Sequence, residues 1–284
     1  MATTLFTILR KAYLALGQME VTTATGGSTT TIIDTKLGEL YGDDDLVNSY
    51  AFVIRDAGGA GAAPENEVGI ISDYVQSTNT MTVRTAFSAA VGSGDTIGIV
   101  KPVWPLYTMI ELCNDGLAGM GSVALTNTSL TTVTGQYEYS LPVTFKYKIN
   151  RVQIQTDLVS NEYVDVHDWY VTPSAGGSTA QLIFNEDIAA GYAIKLWYEA
   201  EHPRLSAMSD TLSETIHSEL ATRMVIDRAL EYQTRRTSGT DNFLMQTANK
   251  AMSDMQEAQR RFTQPKAKKS KILTPSNFIV TDNP

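Results

Sequence analysis

The chain has 284 residues, 43% hydrophobic and 19% charged, a balance that excludes a disordered polymer and supplies apolar surface for a core. Its formal net charge of −9 gives the body no electrostatic reason to hold nucleic-acid backbone, and no apolar run approaches the roughly eighteen residues that a membrane span needs. A single cysteine, Cys113, rules out an intrachain disulfide and suits assembly in a reducing cytoplasm.

Residues 3–16 repeat apolar side chains at Leu5, Leu9, Ala12 and Leu16, the spacing of one helical face, and Gly17 ends the run. Arg10 and Lys11 interrupt this stretch, so it reads as a helix and not as a secretion signal. From Glu20 to Ile99 short β-branched stretches alternate with Gly, Asn and Asp. They predict strands centred on 30–34, 50–54, 68–75, 80–83 and 96–100. Helical spacing returns after Pro105, with Leu106, Ile110, Cys113, Leu117 and Met120 on one stripe. A second β-region follows, with strands predicted at 136–141, 144–156, 162–171, 180–184 and 192–201. Beyond Pro203, Thr211 and Glu214 have capping-box spacing. They predict a helix over 211–236, broken at Ser238-Gly239 and followed by a second over 241–262. In that last helix Leu244, Ala248, Ala251, Met255, Ala258 and Phe262 repeat at four and three, a coiled-coil-like seam, and the two helices are expected to form an antiparallel hairpin.

These elements predict an α+β fold: a helical bundle of the N-terminal helix, the central helix and the C-terminal hairpin, carrying two antiparallel β-rich insertions and an extended C-terminal arm. The expected segments are 1–19 and 102–121 for the first two bundle helices, 20–101 and 122–203 for the β-rich regions, 204–262 for the hairpin and 263–284 for the arm. One internal similarity crosses the β-regions: Phe87, Val91, Gly94, Ile97 and Ile99 have the same mutual offsets as Phe184, Ile188, Gly191, Ile194 and Leu196. A duplicated module produces such a pattern, and so does any strand, glycine turn and strand.

Reactive groups are sparse. The separations of His167, His202 and His217 do not match a metal pair on one helix or strand, so no metal or cofactor is expected. His167, beside Asp165 and Asp168, is the single candidate for a hydrolytic base, without a Gly-flanked Ser or a Cys nearby, and no catalytic residue is assigned. The glycine-rich stretch 57–67 lacks the Lys-Ser/Thr ending of a phosphate loop, and Gly42-Asp43-Asp44-Asp45 lacks the ligand alternation of an EF-hand; both read as loops. Tyrosines crowd the second β-region, as a protein- or glycan-binding face or as boundary packing. The arm has the densest basic cluster, Lys266, Lys268, Lys269 and Lys271, followed by the apolar anchors Ile272, Leu273, Phe278, Ile279 and Val280. It is expected to bind a partner.

The aromatic strand KLWYEAEHP turning at Pro203, the alanine-containing run ETIHSELATRMVIDRALEYQ and the FSAAVGSGDTIGIV segment resemble the head-to-tail connector (adaptor) proteins of tailed bacteriophages. The resemblance implies a non-enzymatic virion protein of the neck, assembled in the host cytoplasm. It implies a homo-oligomeric ring, twelve-membered in that family, between the portal protein and tail or other neck proteins, with DNA passing through unbound and no membrane contact. The alternative expectation is a tail-side or receptor- and glycan-binding virion protein using the tyrosine-rich strands.

Overall fold

The computed structural model describes residues 3–59, 62–141, 149–157, 161–172, 180–237 and 241–263. The chain divides into two compact units, one formed by the residues up to Met120 with His202–Thr263, the other by Gly121–Glu201.

The first unit opens with α1 (Leu5–Ala15), capped by the Thr4 hydroxyl, which accepts from the Thr7 N–H. After Gly17, which takes the left-handed conformation at φ +65°, come β1 (Met19–Thr23), β2 (Gly26–Gly27), β3 (Thr31–Ile33), β4 (Tyr50–Arg55), β5 (Val68–Val75), β6 (Thr80–Val83) and β7 (Thr96–Val100). They form one antiparallel sheet in the order β1-β7-β4-β5-β6-β3-β2. One face of it, with Ala51, Val53, Ile97 and Ile99, closes over Ile32, Ile71, Met81 and Phe87. The other face meets α1: the Phe52 ring lies 5.5 Å from Phe6 and 5.7 Å from Tyr13. Gly98, opposite Phe52 in the register, keeps this face low, because a Cβ there would stand 2.7 Å from the Met19 sulfur. Then come α2 (Leu106–Gly119), α3 (Ser218–Arg236) and α4 (Asn242–Arg261), with α3 packed on α1, α2 and α4.

The second unit contains β8 (Ser122–Thr131), β9 (Glu138–Ser140), β10 (Ile149–Gln155), β11 (Tyr163–Val166), β12 (Trp169–Thr172), β13 (Gln181–Phe184) and β14 (Ala193–Glu201). They form antiparallel sheets β11-β10-β14-β8 and β12-β13-β9. The inner sides of both sheets share a core of Val152, Ile194, Leu196, Leu182, Phe184 and Tyr139.

The expected bundle with two insertions is therefore corrected. Among the described residues the fold is mixed and mostly sheet, with four helices against fourteen strands in three antiparallel sheets. The physical reason lies in α1. Besides the stripe Leu5, Leu9 and Ala12, its Phe6, Ile8 and Tyr13 are also fully buried, so the helix has a second apolar side and the first sheet is its partner. That sheet is a layer of the core and no appendage. The helix predicted from Thr211 begins instead at Ser218, capped by His217. Backbone bonds from Leu5 N to Asp210 O (2.8 Å) and from Leu212 N to Thr3 O (2.8 Å) hold the preceding residues extended along the start of α1. The single strand expected over 162–171 breaks at His167-Asp168 into β11 and β12.

The two sheet regions repeat one connectivity. In the first, β1 pairs with β7, β7 with β4, β4 with β5, β5 with β6 and β6 with β3. In the second, β8 pairs with β14, β14 with β10, β10 with β11, β12 with β13 and β13 with β9. The broken pair β11 and β12 takes the place of β5, which is itself bulged between Ile71 and Asp73. Each region is entered through a left-handed glycine after a helix, Gly17 at φ +65° and Gly121 at +77°, and each last turn carries a glycine at φ +95°, Gly94 and Gly191. The same backbone exchange locks both turns: Gly94 N to Ala24 O (2.9 Å) with Ala24 N to Asp95 O (2.8 Å), and Gly191 N to Thr132 O (2.8 Å) with Thr132 N to Tyr192 O (2.8 Å). The offsets shared by the two glycine turns thus mark a duplicated module.

Because Phe52 joins sheet to helix, Phe52→Ala is expected to destabilise the protein by about 3–5 kcal/mol. Urea unfolding should show the midpoint falling with little change in slope; an unmoved midpoint would remove Phe52 from the centre of this packing.

Candidate interaction surface

The expected arm residues Lys266, Lys268, Lys269, Lys271, Ile272, Leu273, Phe278, Ile279 and Val280 lie outside the described residues. The surfaces that can be described belong to α4 and to the β10–β14 face.

On α4 the seam read from the sequence turns inward, with Ala251 and Ala258 buried and Leu244 and Met255 half-buried. One residue further on, a second series at the same spacing, Met245, Asn249, Met252, Gln256 and Gln259, points to solvent. No member of it is charged, although the flanking positions include Lys250 and Glu257. Met245 and Met252 remain 40% and 47% exposed, and Phe243 in the first turn 79%. Charge depletion combined with exposed Met and Phe is the composition of an interface centre. Asp241 starts this helix by accepting from the Phe243 and Leu244 N–H groups at 2.9 and 3.1 Å.

The outward face of β10 and β14 carries Arg151, Lys195 and Trp197 around a buried Gln153, because alternate residues of a strand share a side. The Lys195 ammonium sits between two rings, 5.0 Å from the centre of Tyr163 and 4.9 Å from Trp197. Trp197 Nε1 donates to Gln153 Oε1 at 2.6 Å, which flattens the indole on the sheet, and the Arg151 guanidinium lies 5.9 Å from the indole while pairing with Asp165 at 2.6 Å. These rings and cations escaped the sequence reading, which counted tyrosines without registering the strands. The signal was available in the alternation of KLWYE.

The histidines take separate places. His167 is exposed beside a cleft of about 350 Å³ that includes Asp165, Asp168 and Glu186. Asp165 is turned to Arg151 and Asp168 accepts from the Asn185 amide, so neither is shown orienting the imidazole. His217 caps α3 by accepting from Glu219 N at 3.2 Å and stacks on Phe262 at 3.9 Å. His202 accepts from Ser213 N through Nε2 at 3.0 Å, which places its proton on Nδ1, 2.6 Å from Pro203 O. Among the described residues no group of three or more His, Cys, Asp or Glu is placed to hold a metal ion, and no helix is long and apolar enough to cross a membrane. In the acidic turn, Asp43 accepts from Gln76 N at 2.7 Å and Asp45 from Gly42 N at 2.8 Å, both serving the backbone.

Cys113 is buried where α2 meets α3, and burial pushes its thiol up to about 12. A few residues along, Gly116 lies close to Met224, and Asn114 donates to Leu205 O and accepts from Leu205 N, both at 2.8 Å. No protein-family model matches this sequence, and no curated protein matches it.

Two outcomes follow. Burial lowers the pKa of His202 from its ordinary 6.5, so the unfolded chain takes up that proton first as pH falls. The contribution is complete above pH 6.5 and lost between there and the lowered folded value. The thermal transition should therefore move to lower temperature through this window as pH falls, and His202→Ala should be less stable at neutral pH by about 1–2 kcal/mol with a flatter acid slope. An unchanged slope in the variant would assign the pH dependence elsewhere. Cys113 should react slowly with a thiol reagent in the native chain and fully once the chain is unfolded in urea; rapid native labelling would show α2 opening from α3.

Proposed function

We propose that this chain is a structural subunit of a tailed-phage particle, a head-to-tail connector whose copies close into a ring between the portal and the tail. The observation that carries this reading is the outer side of α4. A helix packed on α3 offers solvent an uncharged, Met-bearing stripe at heptad spacing, a surface suited to helix contact between subunits. The resemblance of residues 195–203 and 214–233 to connector proteins supplies the location, and a ring of twelve follows from that resemblance alone.

The net charge of −9 fits the same role, since a wall past which DNA slides does best without phosphate contacts, each of which retards the duplex. The arm from Thr263 onward, with its lysines followed by Ile272, Leu273 and Phe278–Val280, supplies a segment for seizing the portal or a neighbouring subunit.

Electron microscopy tests the proposal. The purified chain, alone or with portal, should give closed rings with a central channel, and an antibody to it should label particles at the head–tail junction. Label at the tail tip, joined to binding of host surface polysaccharide, would transfer the role to receptor recognition. Particles without label, or tight salt-sensitive retention of duplex DNA by the chain, would remove the connector reading.

A further inference from the structure

The duplicated regions differ at one place in their cores. Matching Ile97 and Ile99 with Ile194 and Leu196 puts Phe87 in the place of Phe184, and the registers then put Gly69 in the place of Val166. In the first region the Phe87 ring lies on Gly69, where a Cβ would stand 2.9 Å from it, and the next residue, Ser88, donates its N–H to Glu67 at 2.9 Å. The chain after β6 is thereby held against β5. In the second region Val166 fills the place of that glycine, Phe184 meets the Tyr139 ring at 5.6 Å, and the strand breaks at His167-Asp168. The cleft of about 350 Å³ lies at this break. Ile154, Val166 and Ile188 line it half-buried, and the exposed Asp168 and Glu186 stand beside them.

We propose that this cleft receives the arm of a second copy, with Ile272 and Leu273 against its apolar side chains and the preceding lysines toward Asp168 and Glu186. The inference rests on the ring reading and names the contact that builds the ring. Charge selects the occupant. No Lys or Arg occurs between Arg151 and Lys195, whereas Asp157, Glu162, Asp165, Asp168, Glu186 and Asp187 all fall in that interval. Arg151 is taken by Asp165, and neither Asp168 nor Glu186 belongs to an ion pair among the described residues. The complement occurs in the arm, where Lys266, Lys268, Lys269 and Lys271 run directly into Ile272 and Leu273. The paired cations Arg10-Lys11, Arg235-Arg236 and Arg260-Arg261 are fixed within α1, α3 and α4, and a space of this size takes a short segment in preference to a helix. An arm from one copy in the cleft of the next is a heterologous contact, which repeats around a ring.

Disulfide trapping in the full chain tests the contact, since the native Cys113 is buried. Chains carrying His167→Cys, mixed with chains carrying Ile272→Cys under a mild oxidant, should join into a covalent heterodimer. The joining should be about tenfold faster than with Tyr107→Cys, 69% exposed on α2, in place of the cleft cysteine. Glu186→Lys in the cleft chain should slow it about tenfold. Raised salt, which needs no further variant, should slow it as well. A chain with both cysteines should give a ladder of joined copies. Joining no faster than at Tyr107, or no response to salt or to Glu186→Lys, overturns the contact. An intrachain bond in the double-cysteine chain overturns its placement between copies. Trapped copies of a chain whose label is absent from the head–tail junction keep the contact and overturn the connector reading; label at the junction without trapping does the reverse.

Discussion

Phe52 is caught between two secondary structures that each lack another partner for their apolar side. Its strand is buried on both faces, with Ala51 and Val53 turned into the sheet core and Phe52 turned to α1, and Phe6 and Tyr13 lie one above the other on the helix to receive it. Tyr13 also donates its hydroxyl to Trp104 O at 3.0 Å, tying the link that precedes α2 to the same point. Burial holds that phenol far above its ordinary pKa, so it stays a donor at any working pH. With α1 fixed on the sheet, its other side is left for α3, and α3 in turn provides the support for α2 and α4. The order of the first unit thus follows from one helix that is apolar on two sides.

The duplicated modules solve the same turn with different polar groups. In the first, the buried Asp95 carboxylate accepts from Ala57 N at 2.8 Å and Gly92 N at 2.7 Å, so the outgoing strand brings its own acceptor. In the second, the buried Thr132 hydroxyl donates to Ala189 O at 2.7 Å and accepts from Tyr192 N at 2.9 Å, so the opposite strand provides it. Both satisfy backbone groups that burial would otherwise leave unpaired, at a cost of about 1–3 kcal/mol each. Retaining glycine at φ +95° while exchanging the polar partner indicates that the backbone path is the constrained quantity.

How far the sequence was legible depended on side-chain period. Strands with clear alternation or a continuous apolar run, β4 to β7 and β13 to β14, lie where they were expected. β1 and β8 were not separately read, because MEVTT and SVALTNTSLT carry too few apolar residues; their strand state comes from pairing with β7 and β14. The start of α3 was misplaced because a capping signal at Thr211 competes with backbone bonds to residues far away in the chain, and the bonds win. The bundle expectation failed on Phe6 and Tyr13, which stand seven residues apart on a side of α1 that a one-stripe reading assigns to solvent. On α4 the inner seam hid the outer one, since a helix read for its single best stripe conceals a second at the same spacing.

Strand period also separates the two modules by what covers them. β7, TIGIV, is nearly continuous in burial, and so is β4 until Ile54, as expected where a helix lies on one face and a core on the other. β14 alternates strictly between buried and half-buried along AIKLWYEA, with Lys195, Trp197 and Glu199 on the outer side. In this strand the two modules differ on one face: the inward Ile97 and Ile99 match Ile194 and Leu196 in chemistry, while Gly98 and Val100 correspond to Lys195 and Trp197. A glycine suits a face that a helix must approach closely within the chain. A long cation held by two rings suits one that keeps contact with water.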